Sequence, residues 1–179
     1  MKSVLISIQP KWVEKITSGE KTIEVRKSKP KLETPFKCYI YETKGKQVER
    51  CDGCDVTYYG RGKVIGEFVC DSIEVVNAKC SDYGIDLFYH DCMAQGCLTE
   101  REIEKYFNIP EDKDLRVMKG NGYAWHISDL KIYDKPKDLS EFSTYAYNSE
   151  YTVKDGSKYS RVIVNPLKCP PQSWCYVGG

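Results

Sequence analysis

The sequence predicts an α+β domain: a curled, largely antiparallel β-sheet or small barrel with two or more short helices at its rim. Three observations predict it. Segments with two-residue alternation or β-branched runs outnumber helical ones, five or six against two. The 179 residues run without internal repeat, low-complexity tract or central linker, so one domain spans 1–179, with polar insertions at about 45–60 and 143–160. Hydrophobic residues make up 41% and charged residues 30%, a balance that suits a globular chain in water.

Each element has its own signal. Residues 3–8, Ser-Val-Leu-Ile-Ser-Ile, read as the first strand. Pro10 suits the first turn of a helix, where its missing N–H is no loss. Trp12, Val13 and Ile16 then share one helical face, and Gly19 is a good stop. The next strand covers about 21–27. Its alternation sets Ile23 and Val25 on one face and Thr22, Glu24 and Arg26 on the other. A polar connection with two prolines leads to a strand at 36–41. Residues 45–62 are glycine-rich and polar, a loop or hairpin. Residues 63–76 are the strongest strand signal, with Gly66 inside it hinting at a bulge. The stretch 77–97 is irregular. Thr99 and Glu102 form a capping-box pattern that opens a helix through Phe107, with Ile103, Tyr106 and Phe107 on its apolar face. Residues 122–133 alternate as one long strand, Lys135-Pro136-Lys137 reads as a turn, and 138–142 as one helical turn. Residues 143–160 suggest a tyrosine-rich hairpin around Asp155-Gly156, and 173–177 a last short strand.

Charge and composition narrow the function. Net charge is +1, so no whole-molecule field draws the chain to nucleic acid or membrane. Charge is nevertheless uneven. Between Lys21 and Lys37 six cations (Lys21, Arg26, Lys27, Lys29, Lys31, Lys37) face only Glu24 and Glu33. This is either a solvated strand end or a phosphate-facing patch. The N-terminus offers only Val4-Leu5-Ile6 as an apolar run, which is no signal peptide, and nothing approaches the length of a membrane span. Nine scattered cysteines then read as reduced thiols of a cytoplasmic protein. Cys51-Asp52-Gly53-Cys54 tempts a zinc reading, with Cys80, His90, Cys92 or Cys97 as further ligands. Cys92 and Cys97 do not make the second close pair of a ribbon, so the expectation is no metal and no cofactor. Cys169 and Cys175 read as small packing residues. His90 and His126 lie far apart with no matched serine or cysteine motif, so no hydrolase triad is indicated. No glycine-rich phosphate loop is present either.

The most informative stretch is Ser18-Gly19-Glu20-Lys21-Thr22-Ile23-Glu24-Val25-Arg26. It sets a lysine, a glutamate and an arginine within six residues, right after a helix stop. Such charge is expensive beside apolar neighbours unless it is paired or meets a ligand. Lys21 suits a phosphate or carbonyl oxygen, or a base if desolvated. Glu24 suits an exocyclic amine on a base edge, as acidic side chains do for cytosine N4. Arg26 suits a phosphate, or Glu24 itself. The competing reading is a Glu24–Arg26 pair that only supports the fold. Trp12, Tyr123, Trp125 and Trp174 are candidate stacking rings or simply core, with Trp12 favoured because its helix precedes the charged stretch. Glu67, mid-strand among apolar residues, is a cleft carboxylate or a solvent-facing one.

The Gly19-x-Lys21-x-x-Glu24-x-Arg26 signature resembles the ASCH domain family of the PUA-like superfamily of small β-barrels. Ile8-x-Pro10, the 62–68 strand, Leu98-Thr99-Glu100 and Gly122-Tyr123-Ala124-Trp125 fit the same order. The closing Pro171 to Tyr176 segment is similar to that of prophage and Gram-positive members. The resemblance implies a cleft between the first helix and the barrel that binds RNA or modified nucleobases. One branch hydrolyses N4-acetylcytidine, using the signature lysine, a threonine nucleophile three residues on and a carboxylate near the second helix. Here Lys21 is kept, Glu24 stands in the threonine's place, and Ala94-Gln95-Gly96 precedes Leu98 without a carboxylate.

The leading expectation is therefore a binding module for RNA or a modified nucleobase or nucleotide. Its ligand residues are Lys21, Glu24, Arg26, Trp12, Glu67, Tyr123 and Trp125. The alternatives are an amidohydrolase on N4-acylated cytidine or a ribonuclease, with Lys21 and Glu24 catalytic, and a phage accessory protein whose 143–160 insertion contacts a host protein.

Overall fold

The structure, a computed structural model, describes residues 2–51, 53–76, 80–81, 84–85, 93–108, 122–147, 151–152, 154–155, 158–159 and 162–178. The first strand β1 (Lys2–Ile8) is followed by helix α1 (Pro10–Thr17), which has Pro10 in its first turn, and by the short strand β2 (Ile23–Arg26). Next come β3 (Phe36–Glu42), β4 (Gly45–Cys51), β5 (Cys54–Gly60), β6 (Lys63–Cys70) and β7 (Ile73–Val76). The two-residue strands β8 (Cys80–Ser81) and β9 (Gly84–Ile85) pair with each other. A helical turn at 93–96 precedes α2 (Glu100–Phe107). The remainder is β10 (Gly122–His126), β11 (Ser128–Lys137), the 3-10 turn Leu139–Glu141, β12 (Ser143–Tyr147), β13 (Tyr151–Thr152), β14 (Lys158–Tyr159), β15 (Val162–Pro166) and β16 (Trp174–Gly178).

Two sheets carry the fold. The larger has the order β11-β6-β3-β1-β16, antiparallel except where β1 runs parallel to β3. The smaller has the order β2-β10-β7 and is antiparallel throughout. The sheets do not close into the barrel expected from the sequence. The reason lies at one corner, where two expected strands each break in two. Residues 63–76 split at Asp71-Ser72 and residues 122–133 split at Ile127, so both chains leave the large sheet and enter the small one together. The His126 N–H donates to the Ser72 carbonyl at 3.0 Å, and the Ile127 N–H donates to the Thr22 carbonyl at 2.9 Å. Across the corner His126 Nδ1 lies 2.7 Å from Asp71 Oδ1. The expected turn at 135–137 is instead the end of β11, which pairs Lys137 with Val64 after a register shift. The insertion at 45–60 is the β4–β5 hairpin, and the 143–160 insertion opens into β12, which pairs with β15 beyond it.

The main core lies between the sheets and α1. It contains Val4, Ile6, Ile8, Val13, Ile16, Phe36, Cys38, Ile40, Ile65, Phe68, Cys70, Trp125 and Ile127. A second cluster on the other face of the large sheet holds Leu5, Tyr41, Val64, Phe142 and Val177. The third packs Ile23, Val25, Val76 and Ala124 against Leu98, Tyr106 and Phe107, which seats α2 on the far face of the small sheet. No helix among the described residues is long and apolar enough to cross a membrane.

Candidate functional site

β2 is only four residues long and all four are buried, the polar ones included. Its position explains this. The antiparallel register sets Trp125 opposite Glu24 and Tyr123 opposite Arg26, and directly opposed residues share a face. Glu24 and Arg26 therefore point the same way as Trp125, towards the main core. Ile23 and Val25 point the other way, towards α2. The charged face predicted for this strand is real, but it is turned inwards.

Lys21 precedes β2 and is 2% exposed, against 6% for Glu24 and 8% for Arg26. Lys21 Nζ donates to the Gly96 carbonyl at 2.6 Å and stands 3.4 Å from Glu24 Oε2. Arg26 Nη2 donates to the Ser7 carbonyl at 2.6 Å and meets Glu24 Oε1 at 3.0 Å. Glu24 is thus bracketed by two buried cations. Gly19, at φ +81, supplies the left-handed residue that turns the chain from α1 to Lys21, and nothing lies near the place of its missing Cβ. Trp12 of α1 completes the group, with Lys21 Nζ 5.1 Å from its ring centre.

Three buried polar atoms here have no hydrogen-bond partner: Glu24 Oε2, Arg26 Nε and Trp125 Nε1. They belong to adjacent or opposed residues of β2 and β10 on one face. One is an acceptor and two are donors. Among the described residues they are the buried side-chain nitrogen and oxygen atoms left in that state. Buried polar groups are almost always paired, so a group of three is a strong departure from the rule.

The structure thus brings together Lys21, Glu24, Arg26 and Trp12. Trp125 lies beside them but is wholly buried between Phe36 and Trp174, each ring centre at 5.9 Å, so its face is core and only its N–H is unused. Tyr123 is half-buried at the edge of the group, with Lys29 Nζ 5.6 Å from its ring centre. Glu67 is elsewhere, on the opposite face of the large sheet. There it accepts a hydrogen bond from Tyr133 at 2.6 Å and pairs with Lys37 at 3.0 Å, which hold its carboxyl below the ordinary range. The cleft role expected of Glu67 is therefore withdrawn. The register sets Glu67 opposite Tyr39, on the face away from the main core, nearer to the solvent-facing alternative.

The strand register pairs positions 51 and 54 at the tip of the β4–β5 hairpin, and Cys54 is an exposed free thiol. Among the described residues no group of three histidine, cysteine or acidic side chains is placed to hold a metal ion. His90, Cys92 and the side chain of Cys80 lie outside the described residues. The fourth proposed partner, Cys97, directs its thiol to the Glu20 carbonyl at 3.3 Å.

Sequence reasoning missed two participants. Lys11, one helical position before Trp12, is 7% exposed and pairs with Glu49 at 2.6 Å and Glu102 at 2.9 Å. Tyr106 of α2 lies beside Arg26, with Lys27 Nζ 5.1 Å from its ring centre. Burial pushes its phenol up, partly offset by the Arg26 charge. Tyr106 carried a signal only as an apolar-face residue, and Lys11 carried none, because its partners lie on remote elements.

Comparison with known proteins agrees with this architecture. The chain superposes on the crystal structure of ASCH from Zymomonas mobilis with a TM-score of 0.57 at 18% identity, covering 97% of this chain and 86% of that one. A single-substitution mutant of the Zymomonas mobilis protein gives a TM-score of 0.54 at 17% identity, covering 97% and 87%. At such identities the likeness speaks for the fold. No curated protein matches the chain. The family model of the ASCH domain matches residues 6–137, from the first strand through the corner to the end of β11, and includes every residue of the buried cluster. The chain belongs to the ASCH domain family.

Proposed function

We propose that this protein is a recognition module for a nucleobase, free as a nucleoside or carried in RNA. Its reading residues are Lys21, Glu24 and Arg26, joined by the Trp125 N–H. The observation that carries this reading is the group of three buried atoms without a hydrogen bond, Arg26 Nε, Trp125 Nε1 and Glu24 Oε2, the last in ionic contact with Lys21 alone. A base edge offers donors and acceptors side by side, and complements one acceptor flanked by two donors.

The charges support a neutral ligand. Lys11, Lys21 and Arg26 are matched in number by Glu24, Glu49 and Glu102, so no surplus charge draws an anion into the group. Glu24 in place of a hydroxyl nucleophile favours binding over acyl transfer, because a carboxylate already held by two cations accepts hydrogen bonds well.

Calorimetric titration with the ribonucleosides, N4-acetylcytidine and a single-stranded RNA tests the proposal. At least one should bind, and Glu24→Gln should weaken it about tenfold or more, since it replaces a charged acceptor by a neutral amide. Equal affinity in wild type and Glu24→Gln, or no binding of any probe at millimolar concentration, removes the proposal. Chromatographic detection of cytidine formed from N4-acetylcytidine would replace it with the hydrolytic reading.

A further inference from the structure

The buried cations of the described chain are three, Lys11, Lys21 and Arg26, and two of them, Lys11 and Lys21, are bonded to the same short segment. Lys11 binds Glu102 and Lys21 binds the Gly96 carbonyl, while the Tyr106 phenol lies in the field of the Arg26 charge. Glu102 and Tyr106 stand one helical turn apart on α2, so they share a face. The segment 96–106 is thus held on the site by Lys11 of α1 and by Lys21, which precedes β2.

Lys11 differs from the other two. It also binds Glu49 of the β4–β5 hairpin, whose second oxygen accepts from Tyr58 at 3.0 Å. The Lys11 backbone N–H donates to Gln47 Oε1 at 3.2 Å, so the hairpin grips α1 at two points. On the other side, Glu102 splits its carboxylate. One oxygen faces Lys11, and the other accepts from the Thr99 N–H at 2.9 Å and the Thr99 hydroxyl at 3.0 Å, closing the N-terminus of α2. The start of α2 is therefore located by Lys11 through one carboxylate. Lys11 Nζ also lies 4.4 Å from the centre of the Trp12 ring that Lys21 approaches, which joins this contact to the buried cluster.

A buried cation between two carboxylates is a weak source of stability, since desolvation offsets much of the attraction. Its use is geometric. We propose that Lys11 is the positioning residue of the site: it fixes α2 and the β4–β5 hairpin to α1 at once, and so sets where Gly96 and Tyr106 stand against Lys21 and Arg26. Lys11 acts through Glu102 and Glu49 and does not itself touch the ligand. The effect on ligand affinity rests on the recognition reading above, whereas the mechanical coupling does not.

Amide hydrogen exchange on the full chain tests the coupling without any ligand. Lys11→Met should raise exchange about tenfold or more in both α2 and β4–β5 while leaving β1, β3 and β6 unchanged. Glu102→Gln should loosen α2 alone, Glu49→Gln the hairpin alone, and Lys11→Arg should restore both. These single carboxamide variants keep the test alive if Lys11→Met fails to fold. Unchanged protection of either element in Lys11→Met, or simultaneous loosening of both by Glu49→Gln, overturns the proposal. In a second arm, the tightest nucleoside of the wild-type titration should lose fivefold or more in affinity to Lys11→Met and recover with Lys11→Arg. Equal affinity overturns the positioning role. If no nucleoside binds wild type, the recognition reading falls, and the exchange result alone decides the coupling.

Discussion

On the recognition proposal Glu24 serves both folding and ligand binding, and two substitutions separate these roles. Glu24→Gln leaves Lys21 and Arg26 buried without their counter-charge, so it should lower unfolding free energy by about 3 kcal/mol in urea titration. The probe affinity should fall as well. Trp125→Phe behaves differently. The ring keeps most of its packing against Phe36 and Trp174, so stability should fall by only about 1–2 kcal/mol. The lost N–H had no partner in the protein, so any loss of affinity larger than that of a distant core variant reports ligand contact at Nε1. At this scale the sequence was half legible. The spacing of Lys21, Glu24 and Arg26 announced a cluster, and a local period could place two of them on one strand face. It could not announce Lys11, whose partners Glu49 and Glu102 reach it only after two other elements have packed.

Elements meet the site through their ends, and two predictions follow from how those ends are fixed. A Cβ at Gly60 would overlap the Thr43 carbonyl oxygen and crowd Pro10 Cγ at 2.7 Å. Backbone cannot yield as a side chain does, so Gly60→Ala should displace the foot of the hairpin and cost about 2 kcal/mol or more in denaturant titration. The second prediction concerns pH. The Lys11 bond holds the Glu49 carboxyl below its ordinary value of 4.5. For Glu102 burial alone would raise the value, but the Thr99 N–H and Lys11 outweigh it and the net direction is down. Their contribution is complete above the unfolded value and is lost as pH falls through the lowered folded value. Lys11 is the reverse case: burial pulls it down, Glu49 and Glu102 outweigh burial, and the raised value keeps its contribution until pH climbs past 10.5. The melting temperature should therefore fall below pH 4.5 more steeply in wild type than in Lys11→Met, with no difference in slope between pH 5 and 10. Element legibility followed burial. Strands β1, β3 and β16 and both helices show themselves by pattern, because each lies in one sheet or on one face from end to end. The strands at 63–76 and 122–133 misled, because a strand that changes sheets keeps its alternation through the corner.

The whole molecule is held by two sheets that share a corner, and its cysteines report that architecture. Cys38 and Cys70 are fully buried, and burial drives both thiols up, Cys70 to about 12. Cys54 and Cys169 are exposed. Brief treatment of native protein with a thiol-specific alkylating reagent should label peptides containing Cys54 and Cys169 and spare Cys38 and Cys70 until denaturant is added. Labelling of Cys70 in native protein would mean that the corner beside it opens. The sequence by itself determined the class of fold, α+β with a short helix after the first strand, and the family signature from Gly19 to Arg26. It did so because alternation, capping and turn residues are local properties. The tertiary structure alone decided that the sheets stay open, that Glu67 serves the outer face, that Trp125 offers an edge rather than a face, and that Lys11 links α1 to two remote elements. Each of these depends on which surfaces meet after the chain has folded, and burial then turns ordinary polar side chains into a cluster with three atoms left without a hydrogen bond.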